Sequence, residues 1–231
     1  MPDGSPRRRA TSRRDAVTTR VVADGPDGRA LAVDVLRAGG IVAVPTDTVY
    51  GLAVALSTPD GLERLFAAKH RPLDKGIVLL LADAAQASEA GVMTPAASAL
   101  AEAAWPGGLT LVVPQRADVP WPPALTGGKA TIGLRVPDHD APRALARALG
   151  PLPTTSANVS GQPEASDAAA IVAQLGGSVE LVLDGGPARG GPPSSVVDCS
   201  IERPVILRPG AIDVTALAAI LDRAGIEHDL A

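Results

Sequence analysis

A chain of 231 residues with one cysteine, Cys199, has no partner for an internal disulfide and no thiols for a cysteine-cluster metal site. Its setting in SSVVDCS, among alternating apolar neighbours, is that of a packed strand residue rather than a nucleophile. The three histidines, 70, 139 and 228, show no ligand spacing, so no metal site built from protein side chains is expected. Aromatic residues make up 2% of the chain, which leaves few rings on which nucleic-acid bases could stack. No apolar run approaches the ~18 residues of a membrane span. Arg13-Arg14 is not followed by the apolar stretch of a secretory signal, so a cytoplasmic protein without membrane contact is expected. The common phosphate loops are missing as well: there is no GxxxxGK motif, and neither Gly39-Gly40 nor GGPARGG at 185–191 forms a dinucleotide fingerprint. No serine can be tied to His70 or His139 as a hydrolytic relay.

Lysine is scarce too. The chain holds three against eighteen arginines, and two of the three, Lys69 and Lys75, flank Arg71 in KHRPLDK. Arginine is a rigid fork that suits carboxylates and phosphates, whereas lysine is a compact charge on a flexible stem. Lysines concentrated around an arginine just after a helix suggest a polyanion site. A helix C-terminus favours cations by its dipole alone, which accounts for Lys69 and Arg71 better than for Lys75 beyond Pro72.

What the chain does have is apolar sequence, 46% of it, enough for one domain with a proper core. Residues 1–20 differ: they carry Arg7, Arg8, Arg9, Arg13, Arg14 and Arg20 with two aspartates and no apolar period, and read as a disordered basic arm. Removing that +4 from the net charge of −4 leaves a body near −8, at residues 21–231. The arm could touch nucleic acid, or be a solvated tail or an over-long gene start.

Along the body, strand and helix patterns alternate. Residues 29–38 have helical period and stop at Gly39-Gly40 before the apolar strand 41–45. Thr58-Pro59 reads as the start of a helix running to KHRPLDK, and Thr94-Pro95 as the start of another. Strands are expected at 76–82, 109–114, 131–137, 152–155, 179–183, 195–199 and 204–208, and helices at 140–149, 164–175 and 213–224. Several strands follow one another without a helix, so the expected fold is α/β with an open mixed sheet flanked by helices, in a single domain.

The polar residues gather where strands end. PTDTVYG, 45–51, shows two threonine hydroxyls, a carboxylate and the sole tyrosine before a glycine turn, and PTTSANVSG, 153–161, offers Thr154, Thr155, Ser156, Asn158 and Ser160. Ligands in α/β proteins sit at such ends, although local side-chain turns and helix caps use the same residues. Arg135 ends TIGLRVP and Arg208 ends VILRPG. Cations at element ends beside hydroxyl loops favour a nucleotide together with a small carboxylate ligand.

Taken in order, GGIVAVPTDTVYGLA, KHRPLDKGIVLLLAD, WPGGLTLVVP, TIGLRVPDH, PLPTTSANVSGQP, SSVVDCS and ILRPGAI, spread over about 29–212, resemble the YrdC/TsaC family of threonylcarbamoyl-AMP synthases. The resemblance implies a YrdC-like twisted open sheet. It also implies condensation of L-threonine, bicarbonate or CO2, and ATP with magnesium to threonylcarbamoyl-AMP and pyrophosphate. A separate threonylcarbamoyl-transferase complex would then carry the group to tRNA. Carried over by position, Thr48, Arg135, Thr154 and Ser195 are implied to hold L-threonine. Arg71, Lys75, Thr131, Ser156, Asn158 and Arg208 are implied to hold ATP, with Lys69 and Arg71 as the catalytic cations. Leu80 stands where some relatives have His, and Glu164 where relatives have Ser near ATP. Attack of a weak carbamate oxygen on the α-phosphate calls for positioning and charge neutralisation, and no side chain reads as a covalent nucleophile. A different class of reading is a non-catalytic tRNA- or rRNA-binding module, against which stand the acidic body and the shortage of aromatics. The YrdC-like segment of hydrogenase-maturation carbamoyltransferases belongs to much longer, cysteine-rich chains.

Overall fold

The computed structural model describes residues 17–230. Its strands are β1 (Arg20–Ala23), β2 (Val42–Val44), β3 (Gly51–Ala53), β4 (Val78–Leu80), β5 (Leu109–Pro114), β6 (Thr131–Arg135), β7 (Leu152–Ser156), β8 (Leu181–Asp184), β9 (Ser195–Asp198) and β10 (Val205–Arg208). Its helices are α1 (Pro26–Arg37), α2 (Gly61–Ala68), α3 (Ala85–Ala90), α4 (Pro95–Ala104), α5 (Pro123–Thr126), α6 (Asp140–Leu149), α7 (Ala168–Leu175) and α8 (Val214–Arg223). The strands form one sheet in the order β1-β8-β2-β3-β7-β4-β6-β5-β9-β10. The pairs β1–β8, β2–β8, β4–β6 and β5–β9 are parallel and the remaining neighbours antiparallel, the mixed sheet expected from the sequence.

Side-chain alternation along each strand divides the interior into two clusters. In β4, Leu79 faces one side with Leu81 just beyond the strand, and Leu80 faces the other; in β2, Ala43 shares the Leu79 side while Val42 and Val44 share the Leu80 side. The Leu79 side is the larger core, where Leu111, Val113, Ile132, Leu134 and Val197 pack with Phe66 of α2, Leu100 of α4, Ile171 of α7, and Leu217 and Leu221 of α8. On the Leu80 side, α1 (Ala32, Leu36) and α6 (Leu145, Ala146) cover Val44, Ala53, Leu152 and Leu181. That cover stops partway across the sheet. Over β7-β4-β6-β5-β9 the same face carries threonines, a serine, an arginine and a glycine, and stays open as a cavity.

Several local readings are corrected. The arm assigned to residues 1–20 lies outside the described residues as far as 16, but Thr19 already donates to Val179 O (2.8 Å) and Arg20 opens β1, so these residues belong to the sheet. The glycine after PTDTVY is not a turn: Gly51 begins β3 and pairs with Val44 and Ser156. Thr58 does not cap α2; its hydroxyl donates to Ala55 O (2.9 Å), and the helix starts after Asp60, which takes a left-handed backbone (φ 58°). α7 begins at Ala168, capped by Asp167, rather than at 164, which leaves Glu164 in a loop. Thr94 caps α4 as expected, accepting from Ala97 N (3.2 Å), an interaction of about 1 kcal/mol.

Candidate functional site

The open face forms a cavity of about 560 Å³. Its floor comes from alternate residues of neighbouring strands: Val78 and Leu80, Thr131, Gly133 and Arg135, Thr110 and Val112, Thr154 and Ser156. Register keeps them adjacent, with Gly133 opposite both Val78 and Val112, and Arg135 opposite Leu80. Thr46 and Thr48 enter from the end of β2, and Arg71, Glu164, Ser194 and Arg208 close the sides. A smaller pocket of about 180 Å³ shares Arg71 and Ser156 with it and is completed by Lys69, Lys75, Asn158 and Ser160.

The two spaces thus bring together Thr48, Arg71, Thr131, Arg135, Thr154, Ser156 and Arg208 in the first, and Lys69, Lys75 and Asn158 in the second. Ser195 is not brought in. It is fully buried, its hydroxyl donates to Ile212 O (2.7 Å) and accepts from Ile212 N (3.0 Å), and its parity points it away from the cavity. Ser194 lines the cavity instead, with its Oγ 2.9 Å from Thr110 Oγ1, which corrects the assignment of Ser195 to a ligand contact. In PSSVVD either serine could begin the strand, so only the register decides.

Arg135 is buried, and its Nη2 donates to Asp47 Oδ1 (2.6 Å), Nη1 to Thr48 Oγ1 (3.0 Å) and Nε to Gly107 O (3.0 Å). Burial pushes its pKa down, and the Asp47 carboxylate opposes that push. Asp47, the carboxylate of PTDTVYG, is therefore the counter-ion that keeps a buried guanidinium on this floor. The three groups engage one N–H on each nitrogen and leave two more, so the fork can still receive a ligand carboxylate.

Lys69 is at the C-cap of α2, yet its side chain turns inward and is 1% exposed. Its ammonium donates to Ser156 O, to Asn158 O (2.7 Å) and to Asn158 Oδ1 (3.0 Å). Asn158 Oδ1 also accepts from Ser156 Oγ (2.6 Å). Burial, with help from Arg71, pulls the Lys69 pKa down to about 8. Lys69 thus braces the Ser156–Asn158 segment. Arg71 lies across the Phe66 ring at 6.0 Å and is held by Lys75 O (3.3 Å) and Gly76 O (3.0 Å). Arg208 is held by Ser194 O (2.7 Å). Burial lowers the pKa of both guanidiniums, and among the described residues neither has an ion-pair partner. Half-buried cations without an ion-pair partner suit a polyanion.

Lys129, the third lysine, also lines the larger cavity. All three lysines therefore stand at these two spaces, so the scarcity of lysine marks Lys129 as well as Lys69 and Lys75. Cys199 is buried, with its pKa pushed up to about 12, and is no nucleophile. Among the described residues no three His, Cys, Asp or Glu side chains cluster as metal ligands, and no helix is long and apolar enough to cross a membrane. The cavity does present two carboxylates, Glu164 and Asp198. Magnesium, which keeps most of its waters and takes one or two carboxylates besides substrate phosphates, fits that donor set.

Comparison with known proteins places the chain among relatives. The Sua5/YciO/YrdC family model, described as telomere recombination, matches residues 34–210. A threonylcarbamoyl-AMP synthase of Bacillus subtilis is 36% identical over 87% of this chain and 58% of its own length. A putative threonylcarbamoyl-AMP synthase of Mycobacterium tuberculosis is 35% identical over 82% of this chain and 87% of its own. The crystal structure of P. abyssi Sua5 complexed with L-threonine superposes with a TM-score of 0.81 at 31% identity, covering 92% of this chain and 62% of that one. The chain thus spans little more than half the length of the Bacillus relative.

Proposed function

The chain belongs to the Sua5/YciO/YrdC family, and from that membership and the cavity we propose that it is an L-threonylcarbamoyladenylate synthase, a nucleotidyltransferase acting on L-threonine, bicarbonate or CO2, and ATP. The observation that carries the proposal is the convergence of Arg135 and Thr48 with Arg71, Ser156 and Arg208 on one cavity, although they come from five separate stretches of sequence. The threonine carboxylate pairs with the free N–H groups of Arg135, with Thr48 and Thr154 beside it. The triphosphate runs along Arg71, Lys75 and Arg208 toward the segment braced by Lys69, and Thr131, Ser156 and Asn158 orient it.

In the reaction, the threonine amine takes up CO2 and loses a proton to give a carbamate. A carbamate oxygen then attacks the α-phosphorus, and the bond to the bridging oxygen breaks with its electron pair leaving on pyrophosphate. The protein's part is to hold the two reactants in line and offset charge. Magnesium, when bound, supplies further charge neutralisation on the triphosphate. A cytoplasmic setting and a downstream threonylcarbamoyl-transferase complex acting on tRNA follow from the same reading. A purely RNA-binding role is disfavoured by an acidic chain with 2% aromatics.

Mass spectrometry of the full chain incubated with ATP, magnesium, bicarbonate and L-threonine should reveal the threonylcarbamoyl-adenylate anhydride. Pyrophosphate release should require all three substrates; ATP turnover indifferent to threonine would refute the proposal.

A further inference from the structure

Glu164 sits oddly in a site built for a polyanion. It lines the larger cavity in the loop before α7, it is exposed, and among the described residues its carboxylate has no ion-pair or hydrogen-bond partner. The other acid on the wall, Asp198, is tied to Ser200, with its Oδ1 accepting from Ser200 N (2.9 Å) and Oγ (2.6 Å). Glu164 also lies close enough to Lys69 and Arg208 for its charge to oppose the burial that lowers both of their pKa values. It shares the wall of the larger cavity with Arg71 and Arg208, on the path assigned above to the triphosphate.

A lone carboxylate there has two opposite effects. Toward bare phosphates it is a like charge that competes for the same lysine and arginines. Toward a hydrated divalent cation already carried by phosphates it is the kind of single carboxylate contact that magnesium accepts. We propose that Glu164 couples nucleotide binding to the divalent cation, repelling the nucleotide alone and receiving the cation's hydration shell when the two arrive together. The inference rests on the nucleotide reading of this cavity and adds a residue through which the cation would be sensed.

Calorimetric titration of ATP into the full chain, once in EDTA and once with magnesium, compares the natural protein with Glu164→Gln. The natural protein should bind far better with magnesium. In Glu164→Gln, ATP binding in EDTA should tighten roughly fivefold to twentyfold, the scale of removing one like charge near the surface. Binding with magnesium should not tighten, so the gain from magnesium shrinks. Manganese, followed by electron paramagnetic resonance in the presence of ATP, should be held more weakly by the variant. Equal tightening under both conditions would reduce Glu164 to a simple competitor for the cations and overturn the coupling, as would no change under either. Failure of the natural protein to bind ATP under both conditions would overturn the nucleotide reading itself. Because Glu164 is exposed and unpartnered, the thermal midpoint of the variant should match the natural one.

Discussion

At the scale of single residues, the site depends on charges taken out of water. Removing one member of a buried ion pair strands the other, at about 3–5 kcal/mol. With both side chains of the Arg135–Asp47 pair 7% exposed, Asp47→Ala should lower the unfolding free energy measured by urea titration by an amount in that range, and Asp47→Asn, which keeps an acceptor for the guanidinium, by less. Lys69 offers a titration test. Its folded pKa of about 8 lies below the ordinary 10.5. Below pH 8 both folded and unfolded states hold the proton and the cost of burying it is fully present. From about pH 8 to 10.5 the folded state releases the proton first, so this group makes stability rise with pH across that window. Nucleotide affinity should move the other way, falling as pH rises through about 8 while the ammonium is lost, and Lys69→Arg should abolish that alkaline limb. The residue types of the site were legible because lysine is rare and hydroxyls follow strands. Which of Ser194 and Ser195 faces the cavity was not, since strand parity depends on a neighbour, β5, far away in the sequence.

At the scale of elements, KHRPLDK works because of how α2 ends. His70 takes a left-handed backbone (φ 51°), His70 N donates to Ala67 O (3.1 Å) and Arg71 N to Phe66 O (2.9 Å), the pairing of a Schellman cap with histidine where glycine is usual. That cap stops the helix and turns Arg71 and Lys75 toward the pockets. His70→Gly relieves the left-handed strain but frees the unfolded chain, and a net gain of roughly 0.5–1 kcal/mol in unfolding free energy is expected. A drop in stability would mean that the imidazole makes an interaction of its own. Long periodic elements such as α6 and β5 are readable from sequence because their patterns repeat over two or more turns or pleats. α3 and α5, at six and four residues, and β3, at three, are too short to show a period. They form because neighbours hold them, as β2 and β7 hold β3.

At the scale of the whole molecule, the cavity exists because strands distant in sequence lie side by side and because α1 and α6 leave part of one sheet face bare. Sequence order says nothing of the spatial run β7-β4-β6-β5-β9, so the motifs could be identified one by one but not as a single floor. The centre of that floor is Gly133, flanked along β6 by Thr131 and Arg135. A Cβ added at Gly133 would meet Val78 Cγ2 at 3.6 Å and Thr110 Cγ2 at 3.7 Å, ordinary contacts, so the glycine is not required by crowding of the fold. A β-branched residue is also favourable in a strand. Gly133→Val should therefore unfold at the natural temperature or above it. Its two methyl groups, however, would stand in the cavity between the groups assigned to threonine and to ATP, where an aliphatic obstacle displaces ligand atoms without offering a polar contact. A loss of at least about tenfold in affinity for both substrates is expected, equivalent to about 1.4 kcal/mol, with Gly133→Ala losing less. Stability kept while both affinities fall would mark Gly133 as the place where the sheet makes room for its ligands; unchanged affinities in Gly133→Val would mean that the substrates do not lie on this floor.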